Sequence, residues 1–365
     1  MPNSEKKADK LFLLLTFTLV IFGLIMLASA SAPVGYANFG DTYYFIKKQI
    51  LLGLIPGIIF FIIAGHLNFQ IWKKLSWLIY FFALVLLILV FVPGIGMVIN
   101  GSRSWINVLG FSFQPSEFAK LAIVIILAML LSAKENLQDW KTGLLPVLAI
   151  VAPFFLIIAA QDVGTLSILI VTVFLMLYLA GVKKSHLLII GLAGAVIFAG
   201  LLLLRPYRVQ RLTTFLHPEL DPQGIGYQIN QAYLATGSGG VFGLGLGNSR
   251  QKYQYLPEVQ ADSIFAVIAE EMGFIISAGL VVLIAFLGFR GLKIAKGAPD
   301  QFGRLLASGI MIWFLWQSYL NISAIIGLLP LTGVPLPFIS HGGSALLVVL
   351  TAFGIVANIS KQSKI

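Results

Sequence analysis

Ten long apolar runs alternate with short polar stretches along this chain. Each run approaches the roughly 20 residues that an α-helix needs to cross a bilayer core about 30 Å thick. A tight turn at Gln161–Asp162 separates the fifth run from the sixth, and no soluble domain interrupts the series. We therefore predict one all-α integral membrane domain, residues 1–365. Its ten transmembrane helices are expected near residues 11–32, 48–65, 74–94, 117–133, 143–160, 163–182, 186–204, 263–289, 304–328 and 343–360.

Composition supports a membrane protein with many spans. The chain is 59% hydrophobic and 10% charged, whereas soluble domains average roughly 45–50% and about 25%. The absence of cysteine excludes disulfides and thiolate metal sites, and the four histidines lack the spacing of a classical zinc site. The first apolar run follows three lysines, as in a signal peptide, but it exceeds the typical core of ~7–15 residues. We expect it to be a retained helix.

The distribution of lysine and arginine predicts the orientation of the spans. Most of the 24 basic residues lie at alternate ends of the apolar runs, and cytoplasmic loops are enriched in such residues. This pattern places both termini in the cytoplasm. It also explains the net charge of +10 without nucleic acid as a partner.

Several basic residues depart from this rule. Lys47 and Lys48 begin the second span, where they can snorkel to the surface. The others are Arg103, Lys120, Arg205, Arg208, Arg211, Arg250 and Lys252. Ion pairs with Glu219, Asp221 and Glu258 are one explanation for the basic residues of segment 205–262. Contacts with an anionic ligand such as a phosphate are the other.

The long outer segment 205–262 joins the seventh span to the eighth. Loops of this length are usually functional or disordered, and its many aromatic residues favour packed short helices. Within it, residues 237–249 carry six glycines. Such a loop either brings backbone N–H groups close to phosphates or forms a tight turn beneath other loops. It is not a P-loop, because no Gly-Lys-Ser/Thr sequence follows.

Acidic residues near or within the spans are candidate functional groups. Asp262 and Glu258 precede the eighth span, whereas Glu270 and Glu271 lie inside it. Because a helix rises 1.5 Å per residue, Glu270 is about 12 Å deeper than Asp262. We expect the two glutamates to face the bundle interior and pair with polar or basic groups, or to be protonated. Asp262 itself either caps the helix or takes part in chemistry.

Two other spans carry acidic residues near their N-termini. Glu117 and Lys120 are three residues apart, so they are expected to pair on one helix face, although Glu117 can instead cap that helix. Asp162 can cap the sixth span. We interpret both acids as structural or polar-cavity groups.

The last outer segment, residues 330–345, is rich in proline and glycine. Non-helical backbone near a membrane persists only when it is buried in protein or lines a cavity. We expect this segment to line a pocket, with Ser340 and His341 as its polar tip. A plain connecting loop is the alternative.

Five motifs in this order resemble the SEDS family (shape, elongation, division and sporulation) of bacterial cell-wall synthesis. The resemblance covers nearly the whole chain, and "NSRQKYQYLPE" is closer to the FtsW-like division branch, with its sporulation relatives, than to the RodA-like branch. The motifs are "GSRSWINVLGFSFQPSEFAKL" at 101–121, "QDVGT" at 161–165, "RLTTFLHPELDPQGIGYQ" at 211–228, "GSGGVFGLGLGNSRQKYQYLPEVQADSIFAVIAEEMGF" at 237–274 and "LPLTGVPLPFISHGGSAL" at 329–346.

The resemblance implies a peptidoglycan glycosyltransferase in the bacterial cytoplasmic membrane. Such proteins polymerise lipid II, extend a polyprenyl-diphosphate-linked glycan, and work with a class B penicillin-binding protein and other division or elongation proteins. The essential carboxylate of the family corresponds here to Asp262, which we expect to act as general base in an inverting transfer. Gln260, Ala261, Ser263 and His341 depart from the residues common at these positions, namely His, Thr, Phe and Tyr, and affect the expected lining of the pocket.

Basic and polar residues around Asp262 are the candidate substrate ligands. Glu258 is expected to orient Asp262 or raise its pKa, and a divalent cation such as Mg²⁺ or Mn²⁺ is a further candidate to hold the pyrophosphate. Two other functions stay open: a lipid II flippase, with Glu117, Lys120, Glu270 and Glu271 lining its path, and a non-catalytic scaffold. The substrate candidates are Arg103, Lys120, Arg205, Arg208, Arg211, Ser249, Arg250, Glu258, Ser340 and His341.

Overall fold

The computed structural model describes residues 7–99, 102–108, 111–133, 136–203 and 206–363. Most of these residues are helical, which confirms a helical membrane fold. The long helices are α1 (Lys10–Phe39), α3 (Ile55–His66), α5 (Ser76–Leu89), α6 (Pro115–Ala133), α7 (Leu145–Gln161), α8 (Val163–Leu179), α9 (Lys184–Leu203), α12 (Ile264–Lys296), α13 (Gln301–Ile325) and α14 (Gly343–Gln362). The shorter helices are α2 (Tyr44–Lys48), α4 (Gln70–Lys74), α10 (Pro206–Leu216) and α11 (Ile225–Ser238).

Two helices contain a wider π-helical segment. Gln49–Leu54 joins α2 to α3 in one continuous helix, Tyr44–His66, and Trp140–Leu144 precedes α7. Within the described residues, eight helices are long and apolar enough to cross a membrane, and α5 and α8 are shorter apolar helices. Each of the ten predicted spans overlaps one of these helices. The number that crosses and the orientation stay predictions.

The interior of the bundle is formed mainly by α6, α13 and α14, whose side chains are largely buried. Aromatic rings connect this interior to α1, because Phe353 of α14 packs against Phe12, Phe314 and Phe338. At the other extreme, Leu187 is the only described residue of α9 that is buried. An apolar helix with so little buried surface requires lipid or another protein around it.

The polar contacts of the bundle distinguish its two ends. At one, which we call the basic end, Asp9 pairs with Arg290, Arg304 donates to the Leu179 carbonyl, and Lys361 donates to the Gly65 carbonyl. The opposite end, which we call the site end, contains α10, α11 and the loops around Asp262. This separation agrees with the alternation of basic residues that was used to predict orientation.

A small antiparallel sheet, which the sequence analysis did not predict, follows α5. Its strands are β1 (Gly96–Ile99), β2 (Ser102–Val108) and β3 (Phe111–Phe113), in the order β1-β2-β3. Residues 100–101, outside the described residues, read Asn-Gly, which between alternating apolar residues is a strong hairpin signal. The sheet was missed because long apolar runs lie on both sides of this short segment.

The outer segment between α9 and α12 is folded, as predicted. It contains α10, a short 3₁₀ turn at Pro218–Leu220, and α11, followed by successive turns up to Ser263. The acid Asp162 caps α8, as expected, because its carboxylate accepts hydrogen bonds from the backbone N–H groups of Gly164 and Thr165.

The glycine-rich loop packs against a break in α12. At Gly273 the backbone has φ 73° and ψ −177°, so the helix is interrupted there. The carbonyls of Glu270 and Glu271 accept hydrogen bonds from Leu244 and Gly245 of the loop, at 3.0 and 2.9 Å. This geometry favours the tight-turn interpretation of the glycines over phosphate binding.

Replacing Gly273 with alanine should destabilise the protein by about 2 kcal/mol or more, because its backbone region is essentially restricted to glycine. The added Cβ would also lie only 2.2 Å from the Gly243 nitrogen. Thermal unfolding of the purified protein in detergent measures the effect. Gly279→Ala is the matched control on the same helix, since its Cβ meets nothing within 4 Å. Equal melting temperatures for the two variants would contradict this account of the break.

Candidate active site

Asp262 lies just before α12, which begins at Ile264 after the N-cap residue Ser263. The preceding turn is fixed by the Glu258 carbonyl, which accepts hydrogen bonds from the N–H groups of Ala261 and Ser263. Glu258 itself has a positive φ of 52°. The turn therefore presents Asp262 at the end of a helix without including it in the helix.

Hydrogen bonds from α13 and the last outer loop, residues 327–342, hold the Asp262 segment in place. The amide nitrogen of Asn321 donates to the carbonyls of Asp262 and Val334, both at 2.8 Å. The Ser340 hydroxyl donates to the Ala261 carbonyl at 2.6 Å, and the His341 N–H donates to the Gln260 carbonyl at 2.7 Å. Ser340 thus fixes the backbone beside Asp262, and its predicted contact with substrate stays a prediction.

A narrow cleft, too small to admit a water molecule, adjoins the Asp262 side chain. The lining residues are Asp262, Asn321, Ala324, Ile325, Leu331, Thr332, Gly333 and Val334. Residues 331–334 of the last outer loop therefore line this cleft, in line with the prediction for 330–345. Ser340 and His341, the predicted polar tip, are not among its lining residues. Gly333 has a positive φ of 71°, which favours glycine at this turn of the loop beside the carboxylate.

The environment of Asp262 raises its pKa to about 6, mainly through burial and then through the negative charge of Glu258. Judged by its exposed surface area, Asp262 is only partly buried. Its Oδ1 atom, however, is buried and has no hydrogen-bond partner among the described residues. Arg211 acts in the opposite direction and lowers the pKa. A carboxylate with an unused acceptor and a pKa near 6 can take a proton at neutral pH.

Arg211 is the basic side chain whose charge acts on Asp262. One guanidinium nitrogen donates to the Leu331 carbonyl, at 3.2 Å, in the wall of the cleft. The guanidinium carbon lies 4.7 Å from the centre of the Tyr207 ring, and Nε is buried without a partner. This fixed guanidinium therefore has an unused donor and can hold an anion.

The other predicted arginines have different positions. Arg208 donates to the carbonyls of Leu201 and Ala159, so it ties α10 to the ends of α9 and α7. Arg103 is exposed on β2, opposite Val98. Arg205 lies outside the described residues. Phosphate binding by these three stays a prediction.

Lys120 is buried in the bundle rather than exposed at its outer surface. Its Nζ bonds Glu117 and Gln317, both at 2.7 Å, and lies 5.1 Å from the centre of the Trp313 ring. The predicted Glu117–Lys120 pair is confirmed, with both side chains 1% exposed. The expectation that Lys120 binds substrate is not supported by this geometry, because its charge already has internal partners.

Glu270 and Glu271 hold the glycine-rich loop against α12. Glu271 pairs with Lys252 at 2.7 Å and accepts hydrogen bonds from Ser29 of α1. Glu270 accepts from the Ser249 hydroxyl and from the Arg250 N–H. The expectation that both glutamates face the interior and pair with polar or basic groups is confirmed.

Ser249 and Arg250, both predicted substrate ligands, differ in exposure. Ser249 is buried against Glu270, so its hydroxyl serves the loop. The Arg250 side chain is exposed and lines an open surface hollow together with Tyr253 and Tyr255. Only Arg250 of this pair is positioned to meet a ligand.

Some important polar residues escaped the sequence analysis. Asn321 and Gln317 lie one helical turn apart on α13, facing the site end, and Gln49 bonds the last outer loop from the π-helical segment. Uncharged amides within apolar runs were the available signal, since polar groups at membrane depth are usually functional. The described residues contain no group of three or more His, Asp or Glu side chains placed to hold a metal.

Comparison with known proteins gives the family. A family model described as "Cell cycle protein" (FtsW, RodA, SpoVE) matches residues 9–365. The chain is 45% identical to "Stage V sporulation protein E" of Bacillus subtilis (strain 168), over 100% of both chains. It is 38% identical to the "Probable peptidoglycan glycosyltransferase FtsW" of Geobacter sp. (strain M18), over 98% of this chain and 97% of the relative.

A solved structure has the same fold. It is described as "Structural coordination of polymerization and crosslinking by a peptidoglycan synthase complex", and it matches with a TM-score of 0.78 and 26% identity. The match covers 97% of each chain. Together with the near-complete family match, these findings show that the chain belongs to the FtsW/RodA/SpoVE family of multi-pass membrane proteins.

Proposed function

We propose that this chain is a peptidoglycan glycosyltransferase that polymerises lipid II at the outer face of a bacterial cytoplasmic membrane. Several full-length relatives are named as such enzymes, which supports the reaction class. The observation that carries the assignment to a site is Asp262, whose buried Oδ1 atom lacks a hydrogen-bond partner within the described residues. A substrate hydroxyl would supply the missing donor.

The proposed step transfers one glycan to an acceptor sugar. Asp262 removes the proton of the acceptor 4-hydroxyl while the hydroxyl oxygen of the acceptor forms a bond to the anomeric carbon of the donor. The bond from that carbon to the diphosphate breaks, and the electron pair leaves with the diphosphate. Arg211 stabilises the departing negative charge, because its guanidinium is fixed before the substrate arrives.

The arrangement of the internal charges disfavours a flippase. That function requires Glu117, Lys120, Glu270 and Glu271 to line a path for a polar headgroup. In this structure Lys120 bonds Glu117, while Glu270 and Glu271 bond the glycine-rich loop. Opening such a path would break buried ion pairs, which typically costs about 3–5 kcal/mol for each partner removed.

A partner that crosslinks the glycan follows from the same proposal. The solved structure that this chain resembles concerns the coordination of polymerisation and crosslinking in a complex. We propose a class B penicillin-binding protein as the partner here.

Replacing Asp262 with asparagine should remove polymerisation, because the amide cannot accept the proton. A general base contributes about 10²–10⁴-fold to a rate. The measurement is glycan formation from lipid II by the purified protein with its cognate penicillin-binding protein.

Asp41→Asn is the matched control, since Asp41 is an acid outside the long helices that already pairs with Lys47. Continued polymerisation by Asp262→Asn would contradict the base assignment. Translocation of lipid II without polymer from the wild type would instead support the flippase.

The rate should rise with pH around 6. A base works only when deprotonated, and the ionised fraction of Asp262 grows as the pH passes its pKa of about 6. Glu258→Gln removes a neighbouring negative charge that raises this pKa, so the midpoint of the kcat/KM profile should move to lower pH.

The control for the pH profile is Glu219→Gln, whose exposed carboxylate pairs with His217. A midpoint that stays in place in Glu258→Gln, or moves equally in both variants, would remove Asp262 as the titrating base.

A further inference from the structure

One face of α2 and the following π-helical segment lies against the end of the last outer loop. The ring of Phe45 packs edge-on to that of His341, with 5.1 Å between centroids. The side-chain amide of Gln49 donates to the Ser340 carbonyl at 3.2 Å and accepts from the Gly342 N–H at 2.9 Å. Residues three and four apart share a helix face, so Lys48 also lies on this face.

Lys48 has no carboxylate within salt-bridge distance among the described residues. Its Nζ lies 4.6 Å from the centre of the Tyr44 ring, and the side chain is partly buried. The adjacent Lys47 is different, because it is exposed and pairs with Asp41 at 2.7 Å. A partly buried ammonium group without a counter-ion is a binding group for an anion.

His341 supplies a second polar group to the same place. Its Nδ1 is buried without a hydrogen-bond partner in the described part of the chain. Burial, followed by the charge of Lys48, lowers the pKa of His341 to about 4. The imidazole is therefore neutral at pH 7, and a neutral imidazole still has one N–H to donate to an anion.

This pair adjoins the catalytic segment. The backbone N–H of His341 donates a hydrogen bond to the backbone carbonyl of Gln260, two residues before Asp262. Arg211 contacts the other end of the same loop, through the Leu331 carbonyl. Polymerisation joins two lipid-linked substrates, and each carries a diphosphate, so the reaction requires two anion sites.

We propose that Lys48 and His341 bind the phosphate or diphosphate group of a membrane lipid, in a site separate from Arg211. Gln49 holds the loop backbone that carries His341, and Phe45 fixes the orientation of the imidazole ring. If the bound lipid is a substrate, the site rests on the proposed function and serves the second diphosphate.

The test measures polymerisation as a function of lipid II concentration for wild type, Lys48→Gln, Lys48→Arg and Lys47→Gln, each with the cognate penicillin-binding protein. We expect Lys48→Gln to raise the KM about tenfold, the usual size of one charge-assisted hydrogen bond. Lys48→Arg should retain most of the affinity, and Lys47→Gln should match the wild type. Failure of the wild type to polymerise would refute the proposed function separately.

A second arm identifies the source of the phosphate. Thermal unfolding is measured in nanodiscs of phosphatidylcholine with and without phosphatidylglycerol. Stabilisation by phosphatidylglycerol that is lost in Lys48→Gln, with an unchanged KM, assigns the site to a phospholipid headgroup.

His341→Phe keeps the ring contact with Phe45 and removes both ring nitrogens. It is a second variant that tests the site if Lys48→Gln does not fold. It should raise the KM or weaken the lipid effect in the same direction. The proposal is overturned if neither variant differs from Lys47→Gln in KM or in stabilisation by lipid.

Discussion

The requirement that every buried backbone N–H and C=O group find a partner determines the architecture of this protein. Away from water, each unpaired group costs several kcal/mol, so helices are the default. Where α12 is interrupted at Gly273, the loop at 240–245 restores the missing partners. The N–H groups of Phe274 and Ile275 donate to the carbonyls of Gly240 and Val241, at 2.9 and 3.3 Å. The glycines allow this approach because side chains would separate the two backbones.

The same requirement shapes the site end. There the non-helical backbone is satisfied by side chains that sit on helices: Gln49 bonds the backbone at 340 and 342, and Asn321 bonds Asp262 and Val334. Side chains on rigid helices hold a loop more precisely than the loop could hold itself. The outcome is a segment, 260–262, whose three carbonyls all accept hydrogen bonds, while the Oδ1 atom of Asp262 accepts none from the described residues.

Helical periodicity and depth in the membrane were enough to predict part of this arrangement. The spans, the Asp162 cap and the Glu117–Lys120 pair all depend on residues close in sequence, where spacing determines contact. The bonds of Ser29 to Glu271 and of Gln49 to Ser340 join residues 242 and 291 positions apart, and no local pattern encodes such contacts. The role expected for Asp262 came from the family resemblance, since its position alone equally suits a helix cap.

The basic residues of the site end divide according to whether their charge is already matched. Burying a charge is costly unless it is paired, and Lys120 and Lys252 meet this condition with Glu117 and Glu271. Arg211 and Lys48 have no such ion pair among the described residues, yet both are held by aromatic rings at the two ends of one loop. Unmatched positive charge that the fold keeps in a defined position creates a potential that attracts anions. The fold therefore keeps positive charge without an ion pair at Arg211, whose charge acts on Asp262, and at Lys48, whose charge acts on His341. The proposed reaction between two diphosphate-linked substrates would use both charges.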